Sequence, residues 1–201
     1  MWMSLTIKNN SSIVIDSLCD QGGNKDVAVV GLYCDFLTQQ EQSATNMLGA
    51  MLKQLVNRGG ISQHIREAFQ KAKKEFGGRG LLLAEMLDIL KKAITSLPRV
   101  FVCIDALDES PPKQRRELLE SLREMIQVSS STRVFLTGRP HVNDEILKCF
   151  GEAIRIPLSP TQGDIKSYLE RKLDGETDPN AMDDELRADI MRIIPEKISE
   201  M

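Results

Sequence analysis

The run Arg99-Val-Phe-Val-Cys-Ile-Asp-Ala-Leu-Asp-Glu109 restricts the possible folds of this chain more than any other segment. A parallel strand covered on both faces reads as a continuous apolar stretch, and ligands of open α/β sheets bind beyond the carboxyl ends of such strands. Asp105, Asp108 and Glu109 close the run, so it predicts a buried strand that delivers three acids to the functional edge of a sheet. Three carboxylates placed there repel one another and lose solvation, a cost that a cation such as Mg²⁺ would offset. A second apolar strand, in Thr132-Arg-Val-Phe-Leu-Thr-Gly-Arg-Pro140, brings Arg139 to the same edge. Acids on one strand end and an arginine on the next suit a clamp for a magnesium-bound phosphate.

The rest of the chain alternates helical and strand patterns, which is the α/β signature. Helices are expected near Ser11–Cys19, Gln42–Asn57, Gln63–Phe76, Leu81–Ser96, Pro112–Val128, Asn143–Phe150, Thr161–Leu173 and Asp183–Ile194. Strands are expected near Val27–Cys34, Arg99–Ile104, Arg133–Thr137 and Ala153–Ile156. Met47, Leu48, Met51, Leu52 and Leu55 recur at helical spacing and read as a core stripe rather than a partner groove. The helix at Pro112–Val128 starts on prolines, as helices often do, and carries Leu118, Leu119, Leu122, Met125 and Ile126 on one face.

A length of 201 residues fits one domain with a sheet and covering helices. Hydrophobic content of 41% with 27% charged residues is globular, and a net charge of −3 argues against a nucleic-acid-binding surface. No apolar run approaches the roughly 20 residues that span a bilayer. Met1–Asn10 has neither the basic start nor the apolar core of a signal peptide, so a cytoplasmic protein with no membrane contact is expected. Cys19, Cys34, Cys103 and Cys149 form no C-x-x-C pair and read as reduced structural thiols.

Several other features have plain readings. Gly77-Gly78-Arg79-Gly80 lies between helices without a Lys-Ser/Thr ending, which makes it a turn. Asp35 after a strand is a turn cap before it is a nucleotide contact. His64 and His141 lack catalytic or metal-site neighbours and are expected at the surface. Lys113-Gln-Arg-Arg116 reads as a solvated helix start, and Gly175-Glu-Thr-Asp-Pro-Asn180 as a linker.

Phe101-Val-Cys-Ile-Asp-Ala-Leu-Asp-Glu109 and Val134-Phe-Leu-Thr-Gly-Arg-Pro140 resemble the Walker B and sensor 1 elements of NACHT-type (STAND) P-loop NTPases. The resemblance is greatest to the nephrocystin-like N-terminal modules of large fungal proteins, where ankyrin, WD40 or tetratricopeptide repeats often follow. Ser11–Leu18, Tyr33-Cys-Asp-Phe36 and Gln42–Leu55 support it, and it runs from Ser11 to the C-terminus. It implies an ASCE-type parallel sheet flanked by helices, in strand order 5-1-4-3-2, and ATP or GTP with Mg²⁺ as cofactors. Asp105 would hold the metal, Asp108 and Glu109 would polarise an attacking water, and Arg139, with Thr137 a weaker candidate, would meet the γ-phosphate. It further implies signalling through protein partners or self-association, with repeat domains C-terminal in a full-length relative.

Bland readings compete at the same residues. Asp108, Glu109 and Ser110 also suit the start of the helix after Pro111-Pro112, where acids meet the positive end of the dipole. Arg139 could simply pair with Asp105 or Glu109 and hold an empty site together.

One departure from the family matters most. Its phosphate loop, G-x-x-x-x-G-K-[ST], should precede Ser11, yet Met1–Asn10 contains no glycine, and Lys8 is out of register for the loop's lysine. Only glycine-rich backbone turns its N–H groups inward around phosphate without Cβ clashes. Losing about three charge-assisted bonds removes on the order of 5 kcal/mol, enough to turn micromolar binding millimolar. Residues 1–10 are therefore expected as a divergent segment, 11–174 as a partial NACHT-like NTPase core with its phosphate-loop strand missing or replaced, and 175–201 as the start of a helical extension. Trp2–Ile7 is a candidate replacement strand, and both ends read as cut. The functional expectation is a degenerate or truncated nucleotide-binding signalling module; the alternatives are an active ATP or GTP hydrolase with an unconventional loop and a nucleotide-independent interaction module.

Overall fold

In the computed structural model, which describes residues 14–20, 27–57, 82–175 and 183–199 with single positions at 63, 67, 70 and 74, the run at 99–105 is the middle strand of a sheet. Among the described residues three parallel strands lie in the order β1 (Val27–Tyr33), β2 (Arg99–Asp105), β3 (Thr132–Leu136). Val27 pairs with Arg99 through to Tyr33 with Asp105, and Val100 with Thr132 through to Ile104 with Leu136. The register brings all three strands to their carboxyl ends together, which is what gathers the acids and the arginine.

Parallel neighbours need crossovers, and here helices supply them. Between β1 and β2 lie α2 (Ala44–Asn57) and α3 (Leu83–Thr95), and between β2 and β3 lies α4 (Pro112–Val128). Alternate strand residues Val30, Leu32, Val100, Val102 and Ile104 share one apolar cluster with these helices. The expected methionine and leucine stripe is core: Leu48, Met51 and Leu52 are fully buried. A helix over residues 14–20 (α1) approaches the other face, where a Cβ on Gly31 would lie 3.3 Å from Ile15 Cδ1.

The outer side of β1 is satisfied by a side chain. Gln54 of α2 accepts from Gly31 N–H at 3.0 Å and donates to its carbonyl at 2.8 Å, answering the unpaired polar groups that make strand edges a liability. After β3 the chain forms α5 (Asn143–Phe150).

The compact units are Met1–Ala153 and Ile154–Met201. In the second, α6 (Gln162–Asp174) packs on α7 (Asp184–Ser199). A reciprocal cap begins α6: Thr161 Oγ1 accepts from Asp164 N–H, and Asp164 accepts from Thr161 N–H. The helix expected to stop at Ile194 instead continues through Pro195, whose fixed φ is compatible with a helix although its missing N–H costs one bond.

The strand expected at Ala153–Ile156 is not present. Residues 153–161 have no regular structure, and Ile154 and Ile156 are 92% and 72% exposed. Alternation supplies only one face of a strand; a strand also needs a ladder. Trp2–Ile7, most of the helix expected at Gln63–Phe76, and Gly77–Gly80 lie outside the described residues. No helix among the described residues is long and apolar enough to cross a membrane.

Candidate functional site at the carboxyl edge of the sheet

Asp105 ends β2 and is 1% exposed. Its Oδ1 accepts from the Thr137 hydroxyl at 2.5 Å, and Thr137 Oγ1 in turn accepts from Ala106 N–H at 3.0 Å. The Thr137 main chain continues the ladder, donating to Ile104 and accepting from Leu107, both at 2.9 Å. One threonine thus ties the end of β3 to the turn after β2. Ala106 makes that turn in the left-handed region at φ 53°, a conformation in which Cβ crowds the carbonyl and a small side chain is the tolerable choice.

The turn sends Asp108 and Glu109 in different directions. Asp108 Oδ1 accepts from Arg139 N–H at 3.1 Å, and Oδ2 lies 3.4 Å from Arg139 Nε. Glu109 faces the segment after β1: its Oε2 accepts from Phe36 N–H at 3.1 Å, and its carbonyl from Gln39 Nε2 at 2.7 Å. Asp35 caps that segment, accepting from Leu37 N–H at 2.9 Å, the role its position suggested. Phe36 and Leu37 at its tip are strongly exposed.

All five candidate residues therefore lie along one edge, but each acid has its own partner. Among the described residues no three acid, histidine or cysteine side chains converge to hold a metal by themselves. Mg²⁺ is commonly held by one or two carboxylates, with water and substrate phosphate completing the octahedron. Asp105 fits that requirement as a single carboxylate at a strand end; a three-carboxylate cage does not form. Arg139 pairs with Asp108, not with Asp105 or Glu109 as the bland reading expected. His141 is exposed, and His64 lies outside the described residues.

The expectation for Lys113–Arg116 needs correction at one position. Arg115 is 5% exposed and bonds Glu145 of α5 through Nε at 2.8 Å and Nη2 at 2.7 Å, with Nη1 on the Ser110 carbonyl at 2.9 Å. The hydrogen bonds from Arg115 hold the Glu145 carboxyl below the ordinary glutamate range, and Glu145 raises Arg115. This clasp joins the helix that follows Glu109 to the helix that follows Arg139. The sequence carried a signal for it: Arg115 lies three, four and seven residues before Leu118, Leu119 and Leu122, on the apolar face. Gln114 was also missed; its side-chain oxygen accepts from Ala44 N–H at 2.8 Å at the start of α2.

Cys34, beside the site, is buried, and Ser110 Oγ lies 3.2 Å from its sulfur. Burial pushes its thiol up to about 11, and the neighbouring acids add to the effect. Cys103 in β2 is likewise raised to about 11 by burial. Both are buried and behave as small apolar residues.

No curated protein matches the chain. The sequence model of the family described as nephrocystin 3, N-terminal, matches residues 10–139, well over half of the chain. The matched stretch takes in all three strands and ends on Arg139, so it contains Asp105, Asp108, Glu109 and Thr137. The chain belongs to the nephrocystin 3 N-terminal family.

Proposed function

We propose that this chain is a NACHT-like signalling and self-association module carrying the metal and γ-phosphate side of a nucleotide site but no glycine cradle within residues 1–10. The observation that carries the reading is the meeting of Asp105, Thr137, Asp108 and Arg139 at the carboxyl ends of adjacent parallel strands, the place where α/β sheets bind ligands. Arg139 retains a side chain 47% exposed, so its planar fork can meet an anion. In this reading Mg²⁺, when bound with ATP or GTP, neutralises phosphate charge. Asp105 holds it, Thr137 fixes the Asp105 rotamer, Glu109 orients water, and Arg139 binds the terminal phosphate. With no cradle for the β-phosphate, affinity of the chain by itself is expected in the millimolar range.

Calorimetry of the full chain with ATP or GTP and Mg²⁺, repeated with Asp105→Asn, tests this. Weak binding diminished by the substitution is expected. Micromolar binding lost on substitution would replace the degenerate reading with that of an active hydrolase. A folded chain with no binding at all would favour a nucleotide-independent interaction module.

A further inference from the structure

We infer that Asp108 is the positioning residue of Arg139, holding its guanidinium until an anion displaces it, and is not an acid that polarises water. The inference rests on the nucleotide-site reading above and assigns its internal control. A water-polarising carboxylate must present a lone pair to solvent or substrate. The Asp108 side chain is only 6% exposed, and its two oxygens face Arg139 N–H at 3.1 Å and Arg139 Nε at 3.4 Å. Glu109 does not face Arg139 and is tethered through one oxygen to Phe36 N–H. The two acids after Ala106 therefore divide the work: Asp108 faces the arginine and Glu109 faces the segment after β1.

The chain before Arg139 packs closely: a Cβ on Gly138 would lie 3.0 Å from Val142 Cγ2, and at an ordinary contact distance of 3.5 Å from Asp108 Oδ1. Asp108 takes Arg139 by its main-chain N–H and by Nε. That is a side-on grip, and a guanidinium has further N–H donors on its terminal nitrogens. A phosphate approaching the half-exposed Arg139 competes with Asp108 for the same positive charge. A pair with one exposed partner is worth about 0.2–1 kcal/mol. Releasing it should change anion affinity by about 1.5- to 5-fold.

The test uses the full chain and inorganic tripolyphosphate with Mg²⁺, followed by NMR of the Arg139 Nε–H and of backbone amides. The Arg139 Nε–H signal should shift in Asp108→Asn. That variant should bind tripolyphosphate up to about five times more tightly, and the gain should vanish when Arg139→Gln is added. General relief of negative charge would leave the gain intact in the double variant, which would overturn the inference. So would an Arg139 signal that is the same in wild type and Asp108→Asn. If the Arg139 signal responds but no variant binds tripolyphosphate, the pairing stands and the nucleotide-site reading falls.

Discussion

Glu145→Gln should destabilise the first unit by about 2 kcal/mol, and the figure follows from the clasp geometry. Arg115 is 5% exposed and spends two of its three bonds on Glu145, at 2.8 and 2.7 Å. A hydrogen bond to a charged group contributes about 1.5–3 kcal/mol. Glutamine keeps one acceptor oxygen but turns an amide N–H₂ toward a guanidinium donor, so one bond is lost and the other loses its charge. Stranding a fully buried charge costs about 3–5 kcal/mol. The Glu145 side chain is 40% exposed, so water replaces part of what is lost and the expected cost falls to about 2 kcal/mol. For a chain of this size that lowers Tm by about 4–8 °C.

Urea unfolding followed by circular dichroism from pH 7 downward reads both the magnitude and its cause. The Glu145 carboxyl is depressed in the folded state by the bonds from Arg115. The unfolded chain therefore binds its proton first, and the contribution is fully present above the ordinary glutamate pKa. It is lost as pH falls through the lower folded value, so wild type and Glu145→Gln should converge in acid. Adding Arg115→Met removes the stranded charge and should recover part of the loss. A difference below about 0.5 kcal/mol at pH 7, or one that does not change with pH, would refute the clasp as an energetic element.

Two further outcomes are expected. Ala106 occupies the left-handed region at φ 53° while 7% exposed, so Ala106→Gly exchanges about 1 kcal/mol of strain relief for a similar loss of buried methyl and should unfold within about 0.5 kcal/mol of wild type. Ala106→Val adds a β-branch where φ is positive and should cost at least about 2 kcal/mol by the same denaturation assay; a neutral valine would refute the strain argument. Iodoacetamide at pH 8 should modify exposed Cys19 first. Cys34 and Cys103, with thiols near 11, hold on the order of 10⁻³ thiolate, and mass spectrometry should find them unlabelled until the chain unfolds.

The reading of the site from sequence was uneven, and the residues show why. Asp105, Asp108, Glu109 and Arg139 were legible because each follows an apolar strand run, and strand ends are marked by local composition. Their partners were not legible. Which oxygen faces Arg139, which faces Phe36 N–H, and which accepts the Thr137 hydroxyl depend on the left-handed turn at Ala106 and on the register of β2 with β3. Arg115 was misplaced because composition within Lys113–Arg116 reads as solvated, although its helical spacing from Leu118, Leu119 and Leu122 puts it on the buried face.

By itself the sequence determined the α/β class, the three strands, the helices α2 to α7 to within a few residues apart from the C-terminal end of α7, and the core stripe of α2, because hydrophobic periodicity and turn residues are local properties that survive without knowledge of the fold. Tertiary structure alone decided that the strand expected at Ala153–Ile156 does not form, that Gln54 closes the outer side of β1, and that each acid of the cluster has a separate partner. A ladder, a clasp and an ion pair each require two segments distant in sequence to meet. Where they meet is set by burying the shared core, not by either segment alone.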